Sequence, residues 1–255
     1  MASRIHLPVA RKCNLSCNFC KAGIYEINKS DYPGTTSNIM TTAQAMKHFE
    51  NQLKKMEIHV AGISGPGDPL CNTETFEVLE RINRRYPSII TCICTNGILL
   101  QDVMQRLLEV SLDSLTITIN SFELKTIQKI YKSVEINNCI YTGEDAANII
   151  KERQEQALFM LREFSGLKKV NIIYIQGINN QEIEKICDTI ERIGFFKINI
   201  IKLMPTGLFQ NIRINENEYK ELCGTIRHKY SLFEMCNRCR SDACGYLNEK
   251  GSRHG

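Results

Sequence analysis

The chain has 255 residues, of which 43% are hydrophobic and 24% are charged, and its formal net charge is +4. These values are typical of a globular protein, so they exclude a disordered chain, and the mild charge does not favour nucleic acid as a partner. The start of the chain has no apolar run of signal-peptide length, and no stretch approaches a membrane span. We therefore expect a cytoplasmic protein with neither a nucleic-acid nor a membrane partner.

The cysteine content is unusual. Twelve cysteines are too many for an ordinary cytosolic enzyme of this size. Cytosolic proteins seldom keep disulfides, so cysteine richness without a secretion signal indicates bound metal. Thiolates and iron–sulfur clusters oxidise readily, and we therefore expect a reducing, anaerobic cytoplasm.

Hydrophobic periodicity predicts six strands that alternate with helices. In the first strand, Ile5, Leu7 and Val9 share one face and His6 lies on the other. The later strands are predicted at 57–63, 89–95, 114–120, 169–175 and 196–202. Helices are predicted at about 101–110, 144–164 and 215–229, and further helices begin at Thr41 or Thr42, at Asn72 or Thr73, and at Asn180. The segment 132–143 has no clear period.

This alternation predicts a parallel sheet with right-handed crossovers. Six units are too few for a closed eight-stranded barrel, so we expect an open partial TIM barrel, (β/α)6, over residues 1–229. A cysteine-bearing tail follows at 230–255. An open doubly wound sheet is the alternative. In both folds ligands bind at the carboxyl ends of the strands, where the chain places its unusual residues.

A loop with three cysteines follows the first strand. Cys13, Cys17 and Cys20 are spaced C-x3-C-x2-C, and Phe19 precedes the last of them. Three thiolates can hold three corners of a [4Fe–4S] cluster, whereas an all-cysteine site uses four, so one iron is left open for substrate. A structural zinc site is the alternative, but zinc needs a fourth ligand, and the only other cysteine pair with C-x2-C spacing lies in the distant tail.

Glycine-rich or polar turns follow the next three strands. The segment Gly65-Pro66-Gly67-Asp68 has little side chain, so backbone groups there can approach a ligand closely. Thr95, Asn96 and Asn120 offer hydroxyl and amide groups that can bind a ribose. Each signal alone is ordinary turn chemistry, and their shared placement near the cysteine loop is what indicates a ligand site.

The cysteine loop resembles that of the radical S-adenosylmethionine (SAM) superfamily. The resemblance covers the six-strand core, residues 5–202. The resemblance implies a cluster held by the three loop cysteines, SAM chelated to the open iron, and reductive cleavage of SAM to a 5′-deoxyadenosyl radical. It also implies a set of SAM contacts, of which Arg153 is equally well interpreted as an exposed helix arginine. The implied contacts are Phe19, Gly65, Pro66, Gly67, Asp68, Thr95, Asn96, Asn120, Arg153, and Ile200 or Ile201.

A narrower resemblance, to the NifB family of nitrogenase cofactor maturases, runs through nearly the whole chain. The residues that carry it are 61–70 (AGISGPGDPL), 91–97 (TCICTNG), 116–120, 130–131, 177–179 and 236–243 (CNRCRSDA). The resemblance implies an enzyme that builds an iron–sulfur–carbide cluster precursor from two additional [4Fe–4S] substrate clusters and a SAM-derived carbon. The implied partners are SAM, iron–sulfur cluster donor and electron donor proteins, and nitrogenase-maturation carriers or scaffolds.

The same resemblance implies ligands for the substrate clusters: His6, Cys92, and the tail pair Cys236 and Cys239. From the residues alone, a hydrogen-bonded core histidine is the favoured interpretation of His6. Cys92 shares a strand face with Cys94, and two such thiols are otherwise inert core residues.

The chain departs from the family at Glu26, where the family has a cysteine, and a carboxylate is a poorer iron–sulfur ligand. Four cysteines stand where the family pattern does not place them, and one of them could replace the missing ligand: Cys71, Cys94, Cys139 and Cys244. Two other functions stay open: a radical SAM paralogue with another small-molecule, peptide or cluster substrate, and a non-catalytic iron–sulfur or zinc binding module.

Overall fold

The computed structural model describes residues 4–21, 23–24, 35–36, 38–63, 65–194 and 196–230. The strands are β1 (Arg4–His6), β2 (Leu15–Cys17), β3 (Gly23–Ile24), β4 (Thr35–Thr36), β5 (Val60–Ile63), β6 (Ile90–Thr95), β7 (Ser114–Thr118), β8 (Tyr131–Ile136), β9 (Cys139–Thr142), β10 (Leu167–Tyr174) and β11 (Lys197–Lys202). The helices are α1 (Thr42–Leu53), α2 (Thr73–Arg85), α3 (Leu100–Glu109), α4 (Leu124–Ile130), α5 (Gly143–Arg162), α6 (Ile183–Ile193) and α7 (Glu216–Lys229). In these ranges every helix is too short or too polar to cross a bilayer.

Six parallel strands form the main sheet, in the order β1-β5-β6-β7-β10-β11. The order follows the chain, so the sheet has no point at which the winding direction reverses. A doubly wound sheet requires such a reversal, and that alternative is therefore wrong. The sheet curls into a half-barrel with helices outside it, which confirms the open partial TIM barrel.

The predicted main-sheet strands match the observed ones to within three residues at either end. Thr41 caps α1 as predicted: its hydroxyl accepts from the backbone of Gln44, whose side chain accepts in return from the Thr41 N–H. The predicted cap at Asn180 is wrong, because α6 begins at Ile183. Asn180 instead accepts a hydrogen bond from the Gly177 N–H, which stabilises the turn before the helix.

Residues 131–142 form a hairpin that the sequence did not predict. Strands β8 and β9 pair antiparallel, and β8 also pairs with β2 in the cysteine loop, where Val134 lies opposite Leu15. Asn137 and Asn138 form the turn at φ values of 51° and 62°, a conformation that asparagine tolerates. Every residue of β9 is exposed, and this explains why the segment lacks a hydrophobic period.

The two faces of the main sheet differ in polarity. Towards the helices, the strands present fully buried apolar side chains such as Leu115, Ile117 and Val170. Towards the barrel interior they present Cys92 and a set of polar side chains that contact one another: Cys94, Thr118, Asn171 and Asn199. Buried polar groups require partners, so an interior of this kind is suited to a ligand.

Candidate active site

A cavity of about 170 Å³ lies at the carboxyl ends of the main strands. Its wall combines the cysteine loop, the turn after β5, the ends of β6 and β7, and the last residues of β10 and β11. The structure brings eleven of the predicted site residues together here: Cys13, Cys17, Phe19, Cys20, Gly65, Pro66, Gly67, Asp68, Thr95, Asn96 and Asn120.

Protein contacts hold the cysteine loop on both sides. The Asn18 N–H donates to the Ile130 carbonyl at 2.8 Å, and its side-chain amide donates to the Lys129 carbonyl at 2.8 Å. On the other side, the Leu208 N–H donates to the Asn18 carbonyl at 2.8 Å. A Cβ on Gly207 would lie 2.5 Å from the same carbonyl oxygen, so glycine allows this close approach. The loop is therefore shaped by α4 and by the segment after β11.

The three loop thiols fit an iron–sulfur cluster. Burial raises the pKa of Cys20 to about 11, and desolvation together with the Asp68 carboxylate raises that of Cys13 to about 12. Burial also raises the pKa of Cys17. Iron binding must therefore displace thiol protons, and the metal supplies the positive charge that would stabilise three thiolates.

The loop thiols do not form a site for a single metal ion. Within the described ranges, no three His, Cys, Asp or Glu side chains meet closely enough to hold a single ion. The ligands of a four-iron cluster each bind a different iron, so they do not need to meet at one point.

The turn after β5 packs directly on the backbone of the cysteine loop. The Gly67 N–H donates to the Ala10 carbonyl at 2.7 Å, and the Asp68 N–H donates to the Lys12 carbonyl at 2.9 Å. A Cβ on Gly67 would lie 2.2 Å from the Lys12 carbonyl oxygen, and a side chain there would collide with backbone. The two loops therefore form one wall of the cavity.

The buried Asp68 carboxylate ties this wall to the end of β6. It accepts from the Thr95 hydroxyl at 2.8 Å, from the Asn96 N–H at 2.7 Å and from the Leu70 N–H at 2.9 Å. Burial raises the pKa of Asp68, and these donors oppose that shift. Asp68 and Thr95, both predicted to contact SAM, thus contact each other.

Replacing Asp68 by asparagine is expected to lower the free energy of unfolding by about 2–4 kcal/mol, because an amide NH₂ would face N–H donors where a charged acceptor now stands. Urea denaturation followed by circular dichroism measures this loss. The matched control is Asp145→Asn, in the exposed first turn of α5, where a change within about 0.5 kcal/mol is expected. Equal effects of the two substitutions would contradict the bracing role of Asp68.

Asn96 and Asn120 brace neighbouring elements at the cavity wall. The Asn96 amide donates to Asn14 Oδ1 at 2.8 Å and lies 3.9 Å from Cys13 Sγ. Asn120 is fully buried, and its amide donates to Tyr131 Oη at 2.9 Å. Tyr131 also lines the cavity, and the hairpin that begins with it therefore contributes to the site.

Two residues predicted to contact SAM do not line the cavity, and their assignments stay predictions. Arg153 donates to the Asp102 carboxylate on α3 at 2.7 Å. Its neighbour Gln154 is the residue that points inward: it is buried and donates to backbone carbonyls at the ends of β6 and β7 at 2.9 and 3.1 Å. Ile200 packs in the core against the helices, whereas Ile201 lines the cavity.

His6 and Cys92 approach each other across Gly62, deeper in the barrel. The three residues are register partners on β1, β6 and β5. A Cβ on Gly62 would lie 3.0 Å from His6 Nε2 and 3.2 Å from Cys92 Sγ. The missing side chain lets an imidazole and a thiol, both ligands that suit iron, occupy one region of the interior.

Sequence reasoning missed several cavity residues or braces, among them Thr118, Tyr131, Gln154 and Asn171. Gln154 carried a signal, because it lies in phase with the apolar stripe of α5. The strand pattern does place Thr118 and Asn171 on the interior faces of β7 and β10, because alternate residues of a strand share a face.

Some predicted residues fall outside the described ranges: Glu26, Cys236, Cys239 and Cys244. The same holds for nearly all of the predicted tail at 230–255. These assignments stay predictions.

Comparison with known proteins agrees with this geometry. A sequence profile of the Radical SAM superfamily matches residues 7–190. The fold is similar to that of Streptococcus suis SuiB, with a TM-score of 0.65, 12% identity, and coverage of 97% of this chain and 53% of that chain. Fold, loop and profile define a radical SAM enzyme, a class that implies SAM and a [4Fe–4S] cluster.

Closer relatives narrow the class. The chain is 33% identical over 261 residues to the FeMo cofactor biosynthesis protein NifB of Chlorobaculum tepidum, covering 98% of this chain and 60% of that protein. It is 31% identical over 249 residues to NifB of Methanocaldococcus infernus, covering 97% of this chain and 82% of that protein. The chain belongs to the NifB family of radical SAM enzymes. It spans less than two thirds of the length of the first relative and most of the second.

Proposed function

We propose that this enzyme cleaves SAM and builds an iron–sulfur–carbide cluster precursor from two [4Fe–4S] substrate clusters, for nitrogenase cofactor biosynthesis. The observation that carries the proposal is the His6–Cys92 pair, which faces one region of the interior across Gly62. Relatives named for FeMo cofactor biosynthesis support it.

In this proposal Cys13, Cys17 and Cys20 hold the resident cluster. When this cluster is bound together with SAM and reduced by one electron, the cluster and SAM together supply the 5′-deoxyadenosyl radical. Phe19 and Ile201 offer apolar surface to the adenine and exclude water from the cavity wall. The remaining wall residues orient the ligand by fixing the loops, as the contacts of Asp68, Asn96 and Asn120 describe.

The substrate clusters are proposed to bind on the barrel side of this cavity. His6 and Cys92 hold one of them, and the tail pair Cys236 and Cys239 takes part in holding the other. The tail at 230–255 would then act as a second cluster-binding segment beside the barrel domain. The expected donors of clusters and electrons are separate proteins.

The proposal is tested by anaerobic reconstitution of the full chain. The wild type is expected to bind about twelve irons in three four-iron clusters and to transfer label from the SAM methyl group into an extractable iron–sulfur product. Cys92→Ala is expected to lose about four irons and the labelled product while still forming 5′-deoxyadenosine. The control is Cys139→Ala on the exposed strand β9, which should match the wild type.

Two results would overturn the proposal: a wild type that binds only four irons and still cleaves SAM, or label that appears in no iron–sulfur product. Either would favour the second candidate, a radical SAM paralogue with another substrate. The observation behind that candidate is Glu26, which stands where the resemblance places a cysteine.

A further inference from the structure

Cys94 lies between the two groups of iron ligands in the proposed function. It follows Cys92 by two residues on β6, so both side chains point to the interior, separated by ~6.6 Å along the strand. Cys94, unlike Cys92, also lines the cavity that holds the loop thiols. We propose that Cys94 is a thiolate ligand of the substrate cluster bound by His6 and Cys92, an inference that rests on the proposed function.

The sulfur of Cys94 has a fixed hydrogen-bond donor. The Asn171 side-chain amide donates to Cys94 Sγ at 3.4 Å, and Thr118 Oγ1 lies 3.8 Å from the same sulfur. The orientation of the Asn171 amide is set by its own oxygen, which accepts from the Asn199 amide at 3.1 Å. A neutral core thiol needs no such donor, whereas N–H···S bonds to ligating sulfurs orient the ligand and tune cluster potentials.

Another polar group of the same interior, the Ser114 hydroxyl, lacks a hydrogen-bond partner among the described residues. Ser114 is 2% exposed, and within the described part of the chain its hydroxyl makes no hydrogen bond. Ser114 is the register partner of Cys92 on β7, and the alternation that turns Thr118 towards Cys94 also turns Ser114 inward. A buried hydroxyl of this kind indicates a missing acceptor, and a cluster sulfide or thiolate would supply one.

The other described cysteines are less well placed. Cys139 is exposed on β9, and Cys71 is half-buried in the short turn after Asp68 and does not line the cavity. Cys187 on α6 belongs to the hydrophobic core, and Cys223 on α7 packs against that core. Among the described cysteines outside the loop, Cys94 is therefore the one that combines cavity exposure, an aligned donor and a second thiol on the same strand face.

The experiment compares reconstituted wild type, Cys94→Ala and the control Cys139→Ala. Iron and sulfide per chain and the EPR spectrum of the dithionite-reduced protein are measured, with 5′-deoxyadenosine formation as a separate readout. Cys94→Ala is expected to lose about four irons, or to keep them with altered g-values. Iron, sulfide and EPR signals identical to those of the wild type would overturn the assignment.

Two further variants keep the test decisive. Cys94→Ser retains the size of the side chain, and Asn171→Ala leaves the thiol but removes its N–H donor. If Cys94→Ala does not fold, these two variants decide the test. An EPR spectrum that is unchanged in both of them contradicts the assignment. The failure of the proposed function is distinguishable, because it appears as about four irons in the wild type itself. If the wild type binds more than about four irons per chain and the Cys94 variants match it in iron, sulfide and EPR spectrum, only the Cys94 assignment fails.

Discussion

Cys17→Ala is expected to lose about four irons per chain and to form no measurable 5′-deoxyadenosine. Cys17 ends strand β2, at the irregular step where this strand pairs with Tyr131 of the hairpin. The position of its sulfur is therefore imposed by the protein, and a thiol elsewhere cannot take its place without rebuilding the loop. The methyl side chain of alanine cannot bind iron, so the cluster would keep only two of its three loop thiolates.

Anaerobic reconstitution followed by iron, sulfide and product assays measures the effect. Cys139→Ala removes an exposed thiol of the same hairpin and is expected to leave all three values unchanged. Because the chain has twelve cysteines, this control separates a specific ligand from a general loss of thiols. A Cys17→Ala protein with full iron content and normal product would show that the loop does not hold the resident cluster.

Gly67→Ala is expected to slow SAM cleavage by about 10²-fold, because a displacement of ~1 Å in a reacting geometry has an effect of this size. The added Cβ would lie 2.2 Å from the Lys12 carbonyl oxygen and 2.6 Å from its carbonyl carbon. Backbone cannot swing aside as a flexible side chain does. The turn and the cysteine loop must therefore separate, and the Gly67 hydrogen bond to Ala10 is lost with them. Overpacking of this kind also destabilises the fold by about 1–3 kcal/mol.

The assay is the initial rate of 5′-deoxyadenosine formation, normalised to the iron content of each protein. The matched glycine control is Gly224→Ala in α7, where an added Cβ meets nothing within 4 Å. That substitution should leave the rate unchanged and raise stability by up to about 1 kcal/mol, since alanine is the better helix former. A Gly67→Ala rate equal to that of Gly224→Ala would remove the tight contact between the two loops from the mechanism.

The sheet was predictable because each of its strands carries a local signal. Strand β7, for example, alternates Leu115 and Ile117 towards the helices with Thr116 and Thr118 on the other face. The hairpin at residues 131–142 was not predictable in this way. Strand β9 is exposed on every residue, so burial imposes no pattern on it. Strand β9 pairs with β8, and β8 pairs with β2 of the cysteine loop, a contact between distant parts of the chain that no local period records.

The site was predictable at the level of strand ends and less so at single residues. The loop cysteines, the Gly65–Asp68 turn and Asn120 were placed together because parallel strands end at one edge. On α5 the predicted residue is Arg153, which pairs with α3, whereas the next residue, Gln154, faces the barrel. The two side chains differ in direction because adjacent helix residues are about 100° apart around the axis. The charge of Arg153 led to its prediction as a SAM contact, whereas packing turns Gln154 towards the barrel.

The pairing of the cysteine loop with the hairpin has a consequence for the timing of biogenesis. Asn18 hydrogen-bonds to the carbonyl of Lys129, 111 residues further along the chain, and β8 follows directly. During synthesis the loop leaves the ribosome long before these partners exist. A nascent chain thus presents three thiols without the backbone that shapes them. We therefore expect cluster insertion to follow translation beyond β8, when the loop can take its folded shape.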